Sequence, residues 1–256
     1  MIDFHSHIVY GVDDGADDEN IAIEMIKIAS CSGTKKIVAT PHFKMGKFYV
    51  SRETINKKVK YLKDESKNRG INIEIYAGQE VYYSEDLLEY YRQGEIDTIE
   101  NTRYMLIELP MGEFSTEDVI NNIYELQIKG IVPILAHPER YKTFINSPTL
   151  INRFIEEGFL FQLNVGSAVG DFGGKVKKTA ETFIKNGIYS VFGSDAHHVD
   201  YRNTDMTRGV EVIEKINPKY LPKLRRNGEK ILRDELVGFS GNLIKKRNKF
   251  LSLLFP

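Results

Sequence analysis

Short apolar, β-rich runs alternate along this chain with longer stretches whose apolar positions recur at helical spacing. The strand runs are Ile2–His5, Lys36–Thr40, Ile71–Ala77, Tyr104–Leu109, Val132–Ala136, Phe159–Asn164 and Tyr189–Phe192. Between them, Asp18–Ser32 puts Ile21, Met25 and Ile28 at helical spacing. Arg52–Asn68 is highly charged, with Ile55, Val59 and Leu62 as its apolar stripe. Thr116–Lys129, Thr149–Glu157 and Lys175–Asn186 are helical as well. Each is followed by a glycine (Gly130, Gly158, Gly187) suited to a helix C-terminus. Such alternation predicts a parallel sheet covered by helices. Seven units in 256 residues match a closed or nearly closed barrel better than an open sheet. The eight-stranded form takes about 250 residues, so a seven-stranded relative is expected. No linker-like tract interrupts the pattern. One α/β domain over residues 1–256 is expected, with 240–256 a basic and apolar tail or helix.

Composition narrows the classes. Hydrophobic residues make up 41%, enough for a full core. The charge balance is 35 basic to 36 acidic residues, so no global field draws the chain to nucleic acid. The single cysteine, Cys31, excludes an internal disulfide or a thiolate metal cluster and fits a cytoplasmic location. It lies within an apolar helical pattern and is expected in the core. No secretory signal and no apolar stretch of spanning length is read. The ending "LIKKRNKFLSLLFP" sets Lys245, Lys246, Arg247 and Lys249 beside Leu251, Leu253, Leu254 and Phe255. It reads as a last docked helix, or as an amphipathic contact with a membrane surface or a partner.

The chemistry gathers at one end of the strands. In parallel barrels that is the C-terminal end. The first strand carries His5 and His7, which point to one face. The second run leads to His42 in "ATPH", and the third to Glu80 in "AGQE". Glu108 lies in "MLIELP", His137 in "AHPER", Asn164 ends the sixth run, and Asp195 and His197 close the seventh in "GSDAHH". His198 reads as an exposed neighbour. Burying so many ionisable groups at one rim would cost several kcal/mol per unpaired charge. Bound cations remove that cost. Imidazoles and carboxylates without thiolate suit manganese, iron or zinc, and the carboxylates favour manganese or iron. Eight or nine donors exceed what one ion takes, so two or three ions are expected.

"DFHSH", "DDGA", "ATPH", "GQE", "HPERY" and "GSDAHH" together resemble the polymerase and histidinol phosphatase (PHP) superfamily. "HSHIVYGVDDGA" and "AHPERY" resemble its bacterial manganese-dependent protein-tyrosine phosphatases of capsule and exopolysaccharide clusters. The resemblance runs from residue 1 to about residue 235. It implies the PHP fold, a distorted seven-stranded TIM-like β/α barrel with three metals at the rim. His5, His7, Glu80 and Asp195 would hold one ion. Glu80 would bridge to a second, with Glu108 and His137. Asp14, His42 and His197 would hold the third. Asp14 is preferred over Asp13 on the resemblance alone. Arg140 and Arg202 would bind phosphate, with a metal-activated water as nucleophile.

The implied substrate is phosphotyrosine on the tail of a membrane-associated tyrosine autokinase that regulates polysaccharide synthesis. The loop "FKMGKFYVSR" offers Lys44, Lys47, Phe48 and Tyr49 to such a peptide. A cysteine-dependent mechanism needs C-x5-R, but Ile37 stands six residues after Cys31. The alternative is a small-molecule phosphomonoesterase of the histidinol-phosphatase type. An amidohydrolase would normally have eight strands and often a lysine at the fourth, where Glu108 stands. A binding module would keep the ligands without turnover. The oligomeric state is left open.

Overall fold

A computed structural model describes residues 1–246. Its first half runs β1 (Ile2–Ser6), α1 (Glu19–Cys31), β2 (Lys36–Ala39), β3 (His42–Phe43), α2 (Arg52–Asn68), β4 (Glu74–Ala77), β5 (Glu80–Tyr82), α3 (Leu87–Gln93), β6 (Tyr104–Glu108) and α4 (Thr116–Ile128). The second half runs β7 (Val132–Ala136), α5 (Lys142–Asn146), α6 (Ile151–Glu156), β8 (Leu160–Asn164), α7 (Val165–Val169), α8 (Gly174–Asn186), β9 (Val191–Gly193), α9 (Thr207–Ile216) and α10 (Tyr220–Leu232).

Local chemistry explains several boundaries. The Asp18 carboxylate accepts the Asn20 and Ile21 N–H groups and starts α1. Ser51 and Ser115 cap α2 and α4 in the same way. Gly187, with φ +68°, closes α8 in the left-handed conformation that favours glycine.

All strand pairs are parallel, as the alternation predicts. The strands form two sheets, β1-β2-β4 and β3-β5-β6-β7-β8-β9, rather than one seven-stranded barrel. All seven expected runs contain a strand. The two additional strands, β3 and β5, are short and directly follow turns at Thr40–Pro41 and Gly78–Gln79. Each turn hands the chain from the first sheet to the second. The six-stranded sheet curls back toward β1. Asp195 N–H donates to His5 O (2.7 Å), and His7 N–H donates to Ala196 O (2.9 Å). At the other junction, Glu80 N–H donates to Pro41 O (3.0 Å).

The cores lie on either side of these sheets. Met105, Ile107, Leu135, Phe161 and Leu163 pack outward against the helices. Leu106, Ile134, Leu160 and Val191 pack with Phe4 and with Ile231 of α10. Cys31 is exposed, which corrects the expectation of a core position. The buried stripe of α1 is Ala22, Met25, Ile26 and Ala29. A residue two positions beyond Ala29 is turned to the opposite face. No helix among the described residues is long and apolar enough to cross a membrane. Near the end, the Asn152 amide bonds both the N–H and the C=O of Ile244. Lys245 and Lys246 are exposed. Arg247, Lys249, Leu251, Leu253, Leu254 and Phe255 lie outside the described residues.

Candidate metal centre

The fold carries the strand-end residues into one cup of about 400 Å³. Asp14, His42, Glu80, Glu108, His137, Arg140, Asp195, His197 and Arg202 line it, and His5 and His7 form its buried floor. Register does part of the work, since His42 pairs with Glu80 across β3 and β5. Glu80 is central. One of its carboxylate oxygens lies 3.1 Å from His5 Nε2, 3.3 Å from His7 Nε2 and 3.0 Å from His42 Nδ1. The other lies 3.0 Å from His137 Nε2. Glu108 approaches His137 at 3.8 Å and His42 at 4.0 Å. Three sets of donors each converge within 4.8 Å: His7, Asp14, His42 and His197; His5, His7 and Glu80; and His42, Glu80 and Glu108. This grouping differs in detail from the resemblance, because His7 joins the set with Asp14 and His42 joins the set with Glu108.

The surroundings set the orientation of each imidazole. Gln162 Nε2 donates to Leu163 O (2.7 Å), so its Oε1 must accept. That oxygen takes the His137 backbone N–H and the His5 Nδ1–H, both at 3.1 Å. His5 therefore carries its proton on Nδ1 and turns the Nε2 lone pair into the cup. His7 does likewise, because the Asp13 carboxylate accepts its Nδ1–H at 2.7 Å. In the neutral imidazoles the two Nε2 atoms then face each other as lone pairs at 3.2 Å. Two lone pairs at that distance require a cation or a proton.

This geometry separates Asp13 from Asp14. Asp13 accepts from His7, from His42 N–H (2.9 Å) and from Gly15 N–H (3.0 Å), behind the imidazoles. Asp14 faces the cup between His42 Nε2 (3.5 Å) and His197 Nε2 (3.6 Å).

Asp195 divides its carboxylate in the same manner. Oδ1 lies 3.5–3.6 Å from nitrogens of His5, His7 and His197. Oδ2 accepts from Arg140 (2.7 Å) and Asn164 Nδ2 (2.8 Å) and pairs with the Arg202 guanidinium at 2.8 Å, while Arg202 donates to Asp195 O (3.2 Å). The Phe172 ring lies under both guanidiniums, 4.4 Å from Arg140 and 5.6 Å from Arg202. Burial pushes the Asp195 pKa up, but His5, His7 and Arg202 outweigh it and hold the carboxyl ionised. Burial likewise opposes ionisation of Glu80, and His5 and His42 reverse it. For Glu108 the compensation, from the Arg140 and His5 charges, is the weaker side. Burial, then the Glu80 and Asp195 charges, push it up to about 8.

Backbone strain concentrates here. His137 (φ +32°), Asp195 (φ +53°) and Arg202 (φ +48°) are left-handed without being glycine. The backbones also crowd. A Cβ on Gly15 would lie 2.3 Å from His7 O, and one on Gly193 would lie 2.6 Å from His5 N.

The donor chemistry fits divalent cations on these observations. The donors are imidazole nitrogens and carboxylate oxygens, with paired lone pairs and crowded like charges. Every expected ligand position reaches the cup. Lys44, Lys47 and Phe48 line its mouth, whereas Tyr49 bonds the Glu95 carboxylate instead. His198 is half-buried against Tyr201, rather than exposed, and stays outside. Sequence reasoning missed Gln162, Tyr82, Met111 and Phe172, placed Asn164 at a strand end without a role, and weighed Asp13 only as the alternative to Asp14. Period-two alternation puts Gln162 and Asn164 on one face of β8, and that was the only available signal.

Fold and cup together define a class: parallel α/β proteins with a histidine–carboxylate centre at the C-terminal strand ends. Within it, residues 1–233 match the family described as "Capsular polysaccharide synthesis, CpsB/CapC", and the chain belongs to that family. It is 30% identical over 238 residues to the tyrosine-protein phosphatase YwqE of Bacillus subtilis, covering 93% of each chain. It is 32% identical over 247 residues to the tyrosine-protein phosphatase CpsB of Streptococcus pneumoniae, covering 93% of this chain and 100% of that one. A chain from the crystal structures of YwqE and CpsB, described as "unique metal-dependent tyrosine phosphatases", superposes with a TM-score of 0.90 at 29% identity. That match covers 96% of this chain and 100% of the other. A histidinol phosphate phosphatase from Lactococcus lactis shares the fold alone, with a TM-score of 0.55 at 12% identity. It covers 84% of this chain and 93% of that one.

Proposed function

We propose that this chain is a metal-dependent protein-tyrosine phosphatase serving capsular or exopolysaccharide synthesis. The observation that carries the chemistry is the pair of opposed Nε2 lone pairs of His5 and His7, held beside Glu80. His5, His7, Asp14, His42, Glu80, Glu108, His137, Asp195 and His197 would hold two or three divalent ions, manganese foremost. Such ions supply Lewis acidity and a water acidified to near neutral pH. In this reading the two sheets act as one distorted barrel, and a single domain carries the site.

The remaining work falls to the chain's own side chains. Arg140 and Arg202 both reach Asp195 Oδ2, so their guanidiniums meet at one edge of the cup. A phosphoryl dianion entering there takes charge-assisted hydrogen bonds from them. As charge spreads over the equatorial oxygens during transfer, those donors become worth more. Phe172 holds the two guanidinium planes in place. Phe48, Tyr82 and Met111 form apolar wall beside the phosphate position, fit for the phenyl ring. Lys44 and Lys47 at the mouth suit an acidic peptide. A phenolate leaves with a free pKa of about 10, so a strong general acid is unnecessary. Cys31 is exposed on α1 and outside the cup.

The substrate in this reading is the phosphotyrosine tail of a membrane-associated kinase, reached from the cytoplasmic side. A flexible peptide can enter a rim site of this kind. Chelation should abolish hydrolysis of p-nitrophenyl phosphate, and manganese should restore it. His42→Ala should lose activity and Cys31→Ser should keep it. The reverse pattern would overturn the mechanism. A kcat/KM on histidinol phosphate exceeding that on a phosphotyrosine peptide would transfer the assignment to the small-molecule class.

A further inference from the structure

A second cavity, of about 220 Å³, lies away from the rim, where β4 gives way to β5. Its lining comes from α2, from Ala77–Gln79 and from Asp97, Thr98, Glu100 and Asn101. The Gly78–Gln79 turn is where the two sheets part, so no strand fills the gap. Three features distinguish it from a surface dent. First, Gln79 lines it and is 1% exposed, yet its Nε2 has no hydrogen-bond partner among the described residues. The amide cannot turn to escape, because Asp97 N–H donates to its Oε1 at 2.7 Å. A buried amide nitrogen left without an acceptor costs about 1–3 kcal/mol. Second, Glu100 (φ +44°) and Asn101 (φ +61°) are consecutive left-handed residues on the same wall. Such conformations persist only where the surroundings enforce them. Third, the charged groups of the lining already have partners. Arg52 pairs with Asp97 at 2.6 Å, Lys63 with Glu100 at 3.8 Å, and Lys60 with Asp64 at 2.7 Å.

These features select the ligand. An anion would face Asp97 and Glu100, and a cation would face Arg52 and Lys63. Either would have to break an ion pair. A neutral ligand avoids both costs, provided it brings an acceptor for Gln79 and donors for the carboxylates. A hydroxyl does both. Ile55, Val59, Ala77 and Gly78 offer an apolar side for C–H groups. The volume equals roughly seven waters, about the space of one six-membered sugar ring. We propose that this cavity binds a single neutral hexopyranose, with a ring or hydroxyl oxygen on Gln79 Nε2. The site is independent of the cation reading of the rim, although Gln79 adjoins Glu80 in the chain.

Calorimetric titration of the metal-loaded full chain with glucose, galactose and N-acetylglucosamine tests it, with glucuronate and inorganic phosphate as charged probes. Saturable binding of at least one neutral sugar is expected, weakened at least about tenfold by Gln79→Leu, the loss expected for a hydrogen bond to a buried group. Asn56→Trp, at an exposed position of the lining on α2, should block the mouth and abolish binding without lowering the melting temperature. If Gln79→Leu fails to fold, Asn56→Trp decides. The proposal falls if none of the neutral sugars binds saturably. It also falls if both variants bind as the parent does, or if glucuronate or phosphate binds more tightly than every neutral sugar.

Discussion

At the scale of single residues, the centre depends on side chains that never face its cavity. Gln162 decides the tautomer of His5 and ties it to the His137 backbone. Asp13 does the same for His7. Outer groups of this kind typically change metal affinity by about 10–100-fold when removed. Gln162→Leu leaves the His5 Nδ1–H and the His137 N–H without an acceptor in a fully buried place. Manganese affinity, measured by chelator competition, should fall by about that factor, with the folded state intact by circular dichroism. An unchanged affinity in the folded variant would remove Gln162 from this role. The candidate ligands themselves were readable, because a histidine or acid at a strand end is visible in one dimension. The outer groups were not. A glutamine in an apolar run carries no mark of what its amide meets.

At the scale of elements, the helices that went unread are α3, α5, α7, α9 and α10. The last two are long but carry glycines that dilute the helical signal. A Cβ on Gly209 of α9 would meet Val165 Cβ at 2.4 Å. One on Gly228 of α10 would meet Phe4 Cε2 at 2.7 Å. These glycines answer to packing between elements, not to helix propensity. Gly228→Ala sets two effects against each other. Alanine gains about 1 kcal/mol of helix propensity. Overpacking a filled core costs about 1–3 kcal/mol. With Phe4 buried beneath the helix, the clash should win. A urea titration should show a lower midpoint with an unchanged slope. A higher midpoint would mean that the Phe4 ring gives way freely.

At the scale of the whole molecule, the cup joins segments from residue 5 to residue 202. Ions bound only by the folded chain add stability by mass action, about 2.7 kcal/mol for each site at a hundredfold excess over its Kd. Chelation also leaves Glu80, Glu108 and Asp195 crowded, with Glu108 pushed up to about 8. The melting temperature should therefore drop on chelation and climb again with added manganese in a concentration-dependent way. A melting temperature insensitive to both would argue against cations as part of the fold. The same closure brings β9 against β1 and puts Asp195 beside His5.

The chain's periodicity by itself determined the parallel α/β class, the seven principal strands and the strand ends that carry chemistry. Those properties are local: alternation, helix stops and residue type are written in neighbouring positions. Tertiary structure decided the rest. It split the strands into two sheets, chose Asp14 rather than Asp13 for the cup, turned Cys31 outward, and opened the seam beside Gln79. Each of these depends on which distant backbone passes close by, and distance in space between remote residues is not encoded in any single stretch of sequence.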